Sequence, residues 1–369
     1  MLKNLYGEKR AALTQSELNT ILAAHERYVV YQGGMRAQLA HKNLNGLNLA
    51  NRNLTEADFS GASLVGANLS GSNLERASLY CADLRDCNLQ SAKMARADLR
   101  GASFNGAKLM HAVLDNADLR AAMMMYVGSD GVSVVDNERR AGHAVPLGVD
   151  FSNCSLKGVS FGNAKLDGAN FSGAILQGAN FKGARLTNAS FKNAVLTGVN
   201  LKDLGVPAEA LEGCIRDVTP EAAARFDELK AKLDAHQSWI TSGGAQGAPA
   251  NLDGEDLRPL HQLLVGRPLT GLSARRANGV GLDFSGSHIQ AAKLDGADLR
   301  DANFSNADLR GTSLRGARLS HARFDKANLC SLPLANGAML APNFEETDVS
   351  EEQFFGAIRD GEIALAETN

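Results

Sequence analysis

The chain has 369 residues, a formal net charge of -3 and 44% hydrophobic residues, which is enough apolar material for two or three domains and too much for wholesale disorder. A sequence pI near 6.3 gives no global attraction to nucleic acid or to an anionic membrane. The N-terminal MLKNLYGEKRAAL lacks the apolar core of a signal peptide, no stretch approaches the length of a membrane span, and the five cysteines show neither C-x-x-C spacing nor a disulfide framework, so a cytoplasmic setting is expected.

The first element is an amphipathic helix. Thr14 and Glu17 have capping-box spacing, Leu18, Ile21, Leu22, His25 and Val29 recur at helical intervals, and Gly33-Gly34 would end the helix. A different regularity follows. From Leu44 to Leu119 a Leu, Phe or Met stands at every fifth position, usually with a small residue two places earlier and Asn, Asp or Ser just before it, as in ADFSG, ANLSG and ADLRG. A period of five fits neither helix nor strand and marks a stacked solenoid.

The pattern then breaks. After Met123, Met124 and Met125 comes YVGSDGVSVVDNERRAGHAVPLG, in which apolar strand formers flank a plausible hairpin turn at Ser129-Asp130-Gly131. The register resumes at Phe151 and runs to Leu201, with Phe and Leu alternating through Leu196.

A second leader repeats the first. ELKAKLDAHQSWITSGG from Glu228 matches ELNTILAAHERYVVYQGG from Glu17 once one residue is deleted, pairing His236 with His25, Trp239 with Tyr28 and Gly243-Gly244 with Gly33-Gly34. Thr219-Pro220 supplies an N-cap and a first-turn proline, and Phe226, Leu229, Leu233, His236 and Ile240 form the apolar stripe. After an irregular segment, RPLHQLLVGRPLTGLSARRANGVGLD, the five-residue register returns at Phe284, runs to Leu334 and fades through Met339, Phe344 and Val349 to Phe354.

These A(D/N)(L/F)xx units resemble the pentapeptide-repeat family. The resemblance implies an all-β solenoid, a right-handed quadrilateral parallel β-helix, with the central Leu or Phe and the small residue two before it pointing inward. Four pentapeptides per coil would stack residues twenty apart at about 4.8 Å, giving an Asn48, Asn68, Asn88 amide ladder and placing Phe of the second run on two opposite faces. Asp98 and Asp118, with Arg100 and Arg120, would share one face as a solvated charge ladder. Cys87 and Cys154 would take the small inward position as compact hydrophobes. The expected layout is an N-terminal helical cap at 1–36, a first β-helix at 37–203 with an insertion at 125–148, a linker and second capping helix at 204–249, a second β-helix at 250–355 with an irregular segment at 258–283, and a tail at 356–369.

No chemistry emerges from the scattered histidines. His25 and His236 sit on apolar stripes as packed residues, and no His, Cys and carboxylate cluster has metal-ligand spacing, so no catalytic residue, cofactor or metal is expected. The expected role is a non-catalytic protein-protein interaction or scaffolding protein, with Met123, Met125, Tyr126, Arg139 and Arg140 of the first insertion, and Leu263 and Leu264 of the irregular segment, as contact residues. The alternative implied by the resemblance is a DNA mimic that binds or protects a type II topoisomerase such as gyrase. The second run opposes it, carrying Lys157, Lys165, Lys182, Arg185 and Lys192 against Asp167. Direct nucleic-acid binding is disfavoured because aromatic interleaving is missing, and no membrane partner is expected.

Overall fold

The computed structural model describes residues 12–122, 124–128, 131–135 and 149–360, in two compact units, 1–217 and 218–369. In the first unit, helix α1 (Gln15–Val29) begins with a complete capping box between Thr14 and Glu17, and it buries Leu18, Leu22 and His25. The chain then coils. Parallel bridges join residues twenty apart, Asn48 to Asn68 to Asn88 and Asp98 to Asp118 among them. Each side of a coil is bonded above and below: Leu49 N–H donates to Asn68 O at 2.7 Å, and Asn68 N–H donates to Leu47 O at 2.9 Å.

Corner chemistry explains the repeat. The carbonyl of a central residue accepts from the N–H three positions on, as Leu64 does from Ala67 at 2.9 Å, and the corner residue just before that donor is left-handed. Glycine adopts that conformation without penalty, which is why it recurs there. At Gly71 a Cβ would also lie 2.3 Å from Asn51 Oδ1, because the corner Asn of one coil folds over the corner glycine of the next. At Asn48, Asn68 and Asn88 the expected amide ladder does not form, although Asn170 donates to Asp150 at 3.0 Å and Asn303 to Asp283 at 2.8 Å one coil away. Asn48, Asn68 and Asn88 turn their Oδ1 atoms to their own backbone, accepting from the N–H two residues on at 3.0, 3.1 and 3.2 Å. In these three a local Asx turn takes the side-chain oxygen.

The central residues and the small ones fill the interior. Phe151, Phe171 and Phe191 stack at 5.1 and 4.9 Å, Phe161 and Phe181 at 4.8 Å, and the two columns meet edge to face at 5.7 to 5.9 Å. The Phe/Leu alternation therefore sets two aromatic columns into the core. Cys87 and Cys154 lie inside with them, their thiols donating to Leu64 O and Leu109 O one coil back.

The first insertion is spliced in without breaking the stack. Lys108 bridges Asp150, Val113 bridges Ser155 and Asp118 bridges Ser160, each in place of the residue twenty further on, so the coil closes across the whole insertion. Within the insertion, β1 (Met124–Gly128) pairs antiparallel with β2 (Gly131–Val135), Gly128 opposite Gly131, as the turn signal anticipated.

In the second unit the leader is two helices. α2 (Pro220–Ala224) is capped by Thr219, and the chain breaks at Arg225, whose guanidinium reaches Glu228 and Glu255, before α3 (Phe226–Thr241). Coils begin at Asn251. The first bridges, Asn251 to Ser273 and Asp256 to Asn278, overshoot the regular spacing by two because a single 3-10 turn, Arg258–Leu260, is added, and from Pro268 the spacing is twenty. The segment 258–283 is therefore coil from Leu264 onward, with Leu269, Ala274 and Gly279 in central positions. Large and small have exchanged places there: Leu272 and Leu282 fill the core from the normally small position while Ala274 and Gly279 yield room.

Near the C-terminal side the register shifts again. Ser313 bridges Asn343 and Asn328 bridges Ile358, a spacing half as long again as elsewhere, because a ten-residue hairpin of β3 (Leu332–Pro333) and β4 (Met339–Leu340) is inserted. Leu334 and Met339 are exposed on that hairpin, contrary to the expectation of a fading inward register, which resumes at Phe344.

Candidate interaction surfaces

The two caps share one construction. In the first, the chain leaving α1 doubles back under the helix: Met35 N–H donates to Ala24 O at 3.3 Å and Ala37 N–H donates to His25 Nδ1 at 3.1 Å. In the second, Ala248 N–H donates to Ala235 O at 3.2 Å and Ala250 N–H donates to His236 Nδ1 at 3.0 Å. Only glycine fits at the crossing, where a Cβ would lie 2.1 Å from Ala24 O at Gly34 and 2.0 Å from Ala235 O at Gly247. Gly34 thus corresponds to Gly247, and the matching of Gly33-Gly34 with Gly243-Gly244 is corrected by the longer second crossing. Tyr28 stacks on His25 with centroids 6.0 Å apart, and Trp239 on His236 at 5.8 Å. An arginine of the coils ties each helix down: Arg52 forks onto Glu26 at 2.7 and 2.9 Å, and Arg267 pairs with Asp234.

Both imidazoles are fully buried, and burial holds each below the ordinary histidine pKa. With Nδ1 accepting, the proton of the neutral ring sits on Nε2. These are packed residues joining helix to coil, and among the described residues no group of His, Cys, Asp and Glu is placed to hold a metal.

Charge on the coil faces is largely paired. All six Asp-Leu-Arg triplets form a forked pair between Asp and the Arg two residues on, at 83/85, 98/100, 118/120, 256/258, 298/300 and 308/310, with N–O distances of 2.6 to 3.0 Å. Residues two apart on an extended strand share a face, so the spacing itself makes the pair. Burial alone would raise the Asp118 and Asp308 carboxyls, but the bonds from Arg120 and Arg310 hold both below the usual carboxylate range. In the first run such pairs form the expected charge ladder, Arg100 pairing with Asp98 and also lying 3.8 Å from Asp118, which Arg120 forks in turn.

Of the expected contact residues, Met123, Arg139 and Arg140 lie outside the described residues. Met125 and Tyr126 lie on β1, opposite Val134 and Ser133. Leu264 is 1% exposed in the core and Leu263 packs partly buried against it, so neither offers a free apolar side chain. The five-residue register claims Leu264, which explains the correction. Two exposed apolar surfaces escaped the sequence reading. One is the β3–β4 hairpin with Leu334, Met339 and Leu340; the turn signal Asn336-Gly337 marks it. The other is the end of the first cap, where Tyr28, Val30, Met35 and Tyr31 are exposed, Tyr31 at 98% and with a left-handed φ of 57°.

No helix among the described residues is long and apolar enough to cross a membrane. Comparison with known proteins finds the model of pentapeptide repeats in eight copies, spread over residues 35–120, 147–203 and 292–330. Among solved structures, the chain is similar to HetL, a pentapeptide repeat protein involved in heterocyst differentiation regulation in Nostoc sp. strain PCC 7120, at 20% identity over 92% of this chain and 96% of that one, with a TM-score of 0.19. It is similar to QnrB1, a plasmid-mediated fluoroquinolone resistance protein, at 23% identity over 53% of this chain and 92% of that one, with a TM-score of 0.19. A thylakoid-lumen pentapeptide repeat protein of Arabidopsis thaliana matches at 19% over 51% of this chain and 77% of that one, with a TM-score of 0.14. At such scores these likenesses say nothing about a partner. No curated protein matches the chain. The repeat read from the sequence and the residues matched by the family model agree: the chain belongs to the pentapeptide-repeat family.

Proposed function

We propose that the protein is a non-catalytic, cytoplasmic scaffold for a protein partner, built as two helix-capped right-handed four-sided β-helices whose inserted segments carry the contact. The observation that carries the reading is the splicing at 118–160: the coil bonds across the inserted segment, so the stack closes without it. Insertions in solenoids commonly map to a binding face. Met123, Met125, Tyr126, Arg139 and Arg140 are the contact residues of this proposal. Deleting residues 126–147 removes the surplus that the bridges span and leaves the five-residue register continuous. Affinity capture from the native host with the full chain and with this deletion tests it. Loss of the partner with the fold intact is expected, and retention of every partner refutes the choice of surface.

Gyrase binding by DNA mimicry is the competing reading. It requires unneutralised carboxylates at a density approaching duplex DNA, about one charge per 1.7 Å of axis. On the first run Asp83, Asp98 and Asp118 are each forked by an arginine. The chain is therefore expected to leave gyrase supercoiling unchanged at micromolar concentration; potent inhibition would overturn the scaffold reading.

A further inference from the structure

The duplicated cap holds one feature that packing does not require. Each cap is joined to the strand entering its first coil by a backbone N–H that ends on an imidazole, Ala37 on His25 and Ala250 on His236. A carboxamide, hydroxyl or carbonyl oxygen could accept this bond at every pH. A histidine Nδ1 accepts only while the ring is neutral, because the imidazolium carries N–H on both nitrogens.

We propose that His25 and His236 are acid-released latches, in which protonation of Nδ1 breaks the bond between each cap and its first coil and frees the helix to lift. The proton comes from solvent and adds to the Nδ1 lone pair that had accepted the amide. Two donors then face each other, Ala37 N–H against Nδ1–H, and a charge is buried at a site with 0% exposure. The neighbours that favour the charge do not outweigh burial. Nε2 of each ring makes no hydrogen bond of ordinary geometry among the described residues. Around His25 stand Glu26, which is forked by Arg52, and Arg36 and Glu56; the backbone of Thr55 faces the ring. Around His236 stand Arg267, paired with Asp234, and the backbones of Leu269 and Thr270. The stacked Tyr28 and Trp239 favour a cation, but burial is the largest influence on both rings and holds them neutral.

The sign follows from that direction. A group whose folded pKa lies below its unfolded value of about 6.5 stabilises the closed cap fully above that pH, and the contribution is lost as pH falls through the ordinary histidine range toward the folded value. Release would lift Leu18 and Leu22 from the core they share with the first coil and bare an end that folded proteins normally cover. Both units carry the same latch, so each cap opens on the acid side of the ordinary histidine range.

Trp239 is the only tryptophan, and it stacks on His236, so its emission reports the second latch directly. Fluorescence is followed from pH 8 to pH 5 while hydrogen exchange, corrected for intrinsic rate, is read at Ala37, Ala250 and the coil amide of Leu69. Expected are quenching of Trp239 and loss of protection at Ala37 and Ala250, with Leu69 unchanged. His25→Asn and His236→Asn keep an acceptor oxygen near the Nδ1 position and cannot titrate, so each removes the response of its own cap. Unchanged emission and protection in the parent chain, or the same loss in the Asn variants, overturns the proposal. If those variants fail to fold, ring-proton titrations in the parent decide: protonation coincident with amide opening supports the latch, and protonation with the amides still protected refutes it.

Discussion

Restoring the repeat at its weakest point should damage the protein. Gly279 stands where the five-residue register calls for Leu, and its φ lies outside the left-handed region, so a side chain is limited only by space. A Cβ there would meet Leu299 Cδ2 at 2.9 Å and Leu282 Cδ1 at 3.1 Å. Gly279→Leu therefore overpacks a filled core, at a cost of about 1–3 kcal/mol. Leu282→Ala empties a site that is 1% exposed and should cost about 2–5 kcal/mol. Together they move the bulk back to the position the repeat prefers, so the double variant should lie within about 1.5 kcal/mol of the parent, as volume-conserving exchanges do. The coupling between the two sites would thus be large and of rescuing sign. Urea unfolding followed by Trp239 fluorescence reads the second unit. A double variant that loses the sum of the two single losses would refute the exchange of large and small residues as the reason the register fades at 274 and 279.

The aromatic columns give a second expectation: Phe171→Ala, at the centre of four ring contacts, should cost about 3–5 kcal/mol in chemical denaturation, and a loss below about 1 kcal/mol would mean the columns do not bind the coils together. Excising residues 331–340 joins Cys330 to Ala341 and returns the lengthened bridges to the regular spacing, so the variant should unfold within about 1 kcal/mol of the parent; an unfolded product would show that the hairpin holds the last coil. Burial pushes the Cys87 thiol up to about 12 and the Cys154 thiol further up, so neither should react with a disulfide reagent at pH 8 until the chain is denatured, as a thiol count by mass spectrometry will show. In acid, Asp118, Asp167 and Asp308 have folded pKa values below their unfolded ones because Arg120, Arg185 and Arg310 outweigh the burial that would raise them; their contribution is present above about pH 4 and lost as pH falls through the folded values, so Arg310→Gln should flatten the stability profile below about pH 4.

Much of the fold was legible because a solenoid writes its core into the sequence at fixed intervals. Leu49, Leu69 and Leu89 announce their stacking by number alone, and the Phe/Leu alternation announces two columns. Legibility failed where residues traded size. Leu272 and Leu282 carry the bulk missing from Ala274 and Gly279, and a reading that follows one position per repeat sees an irregular segment where the backbone continues its coils. It failed at the hairpin for the opposite reason: Leu334 and Met339 keep the period while leaving the core, because a ten-residue insertion is a multiple of five. The caps were legible as helices. Their fastening was not, since Gly247 is required by a crossing carbonyl beyond the place the aligned glycines suggested. The surfaces were least legible, because exposure at Tyr31 or Met339 depends on what the folded neighbours leave uncovered.

The Asx turns at the corners have a consequence for how such a protein can change. Because Asn68 satisfies the N–H of its own Ser70 rather than a neighbour's side chain, the turn at such a position asks little of the residues above and below it, whereas a corner such as Gly71 is fixed by the Asn51 that folds over it. Away from such corners a face can be rewritten one short unit at a time, by substitution or by splicing in a segment, without renegotiating the rest of the stack. Such a chain can drift quickly in what it recognises while its interior stays nearly constant, so two relatives with the same repeat need share no partner.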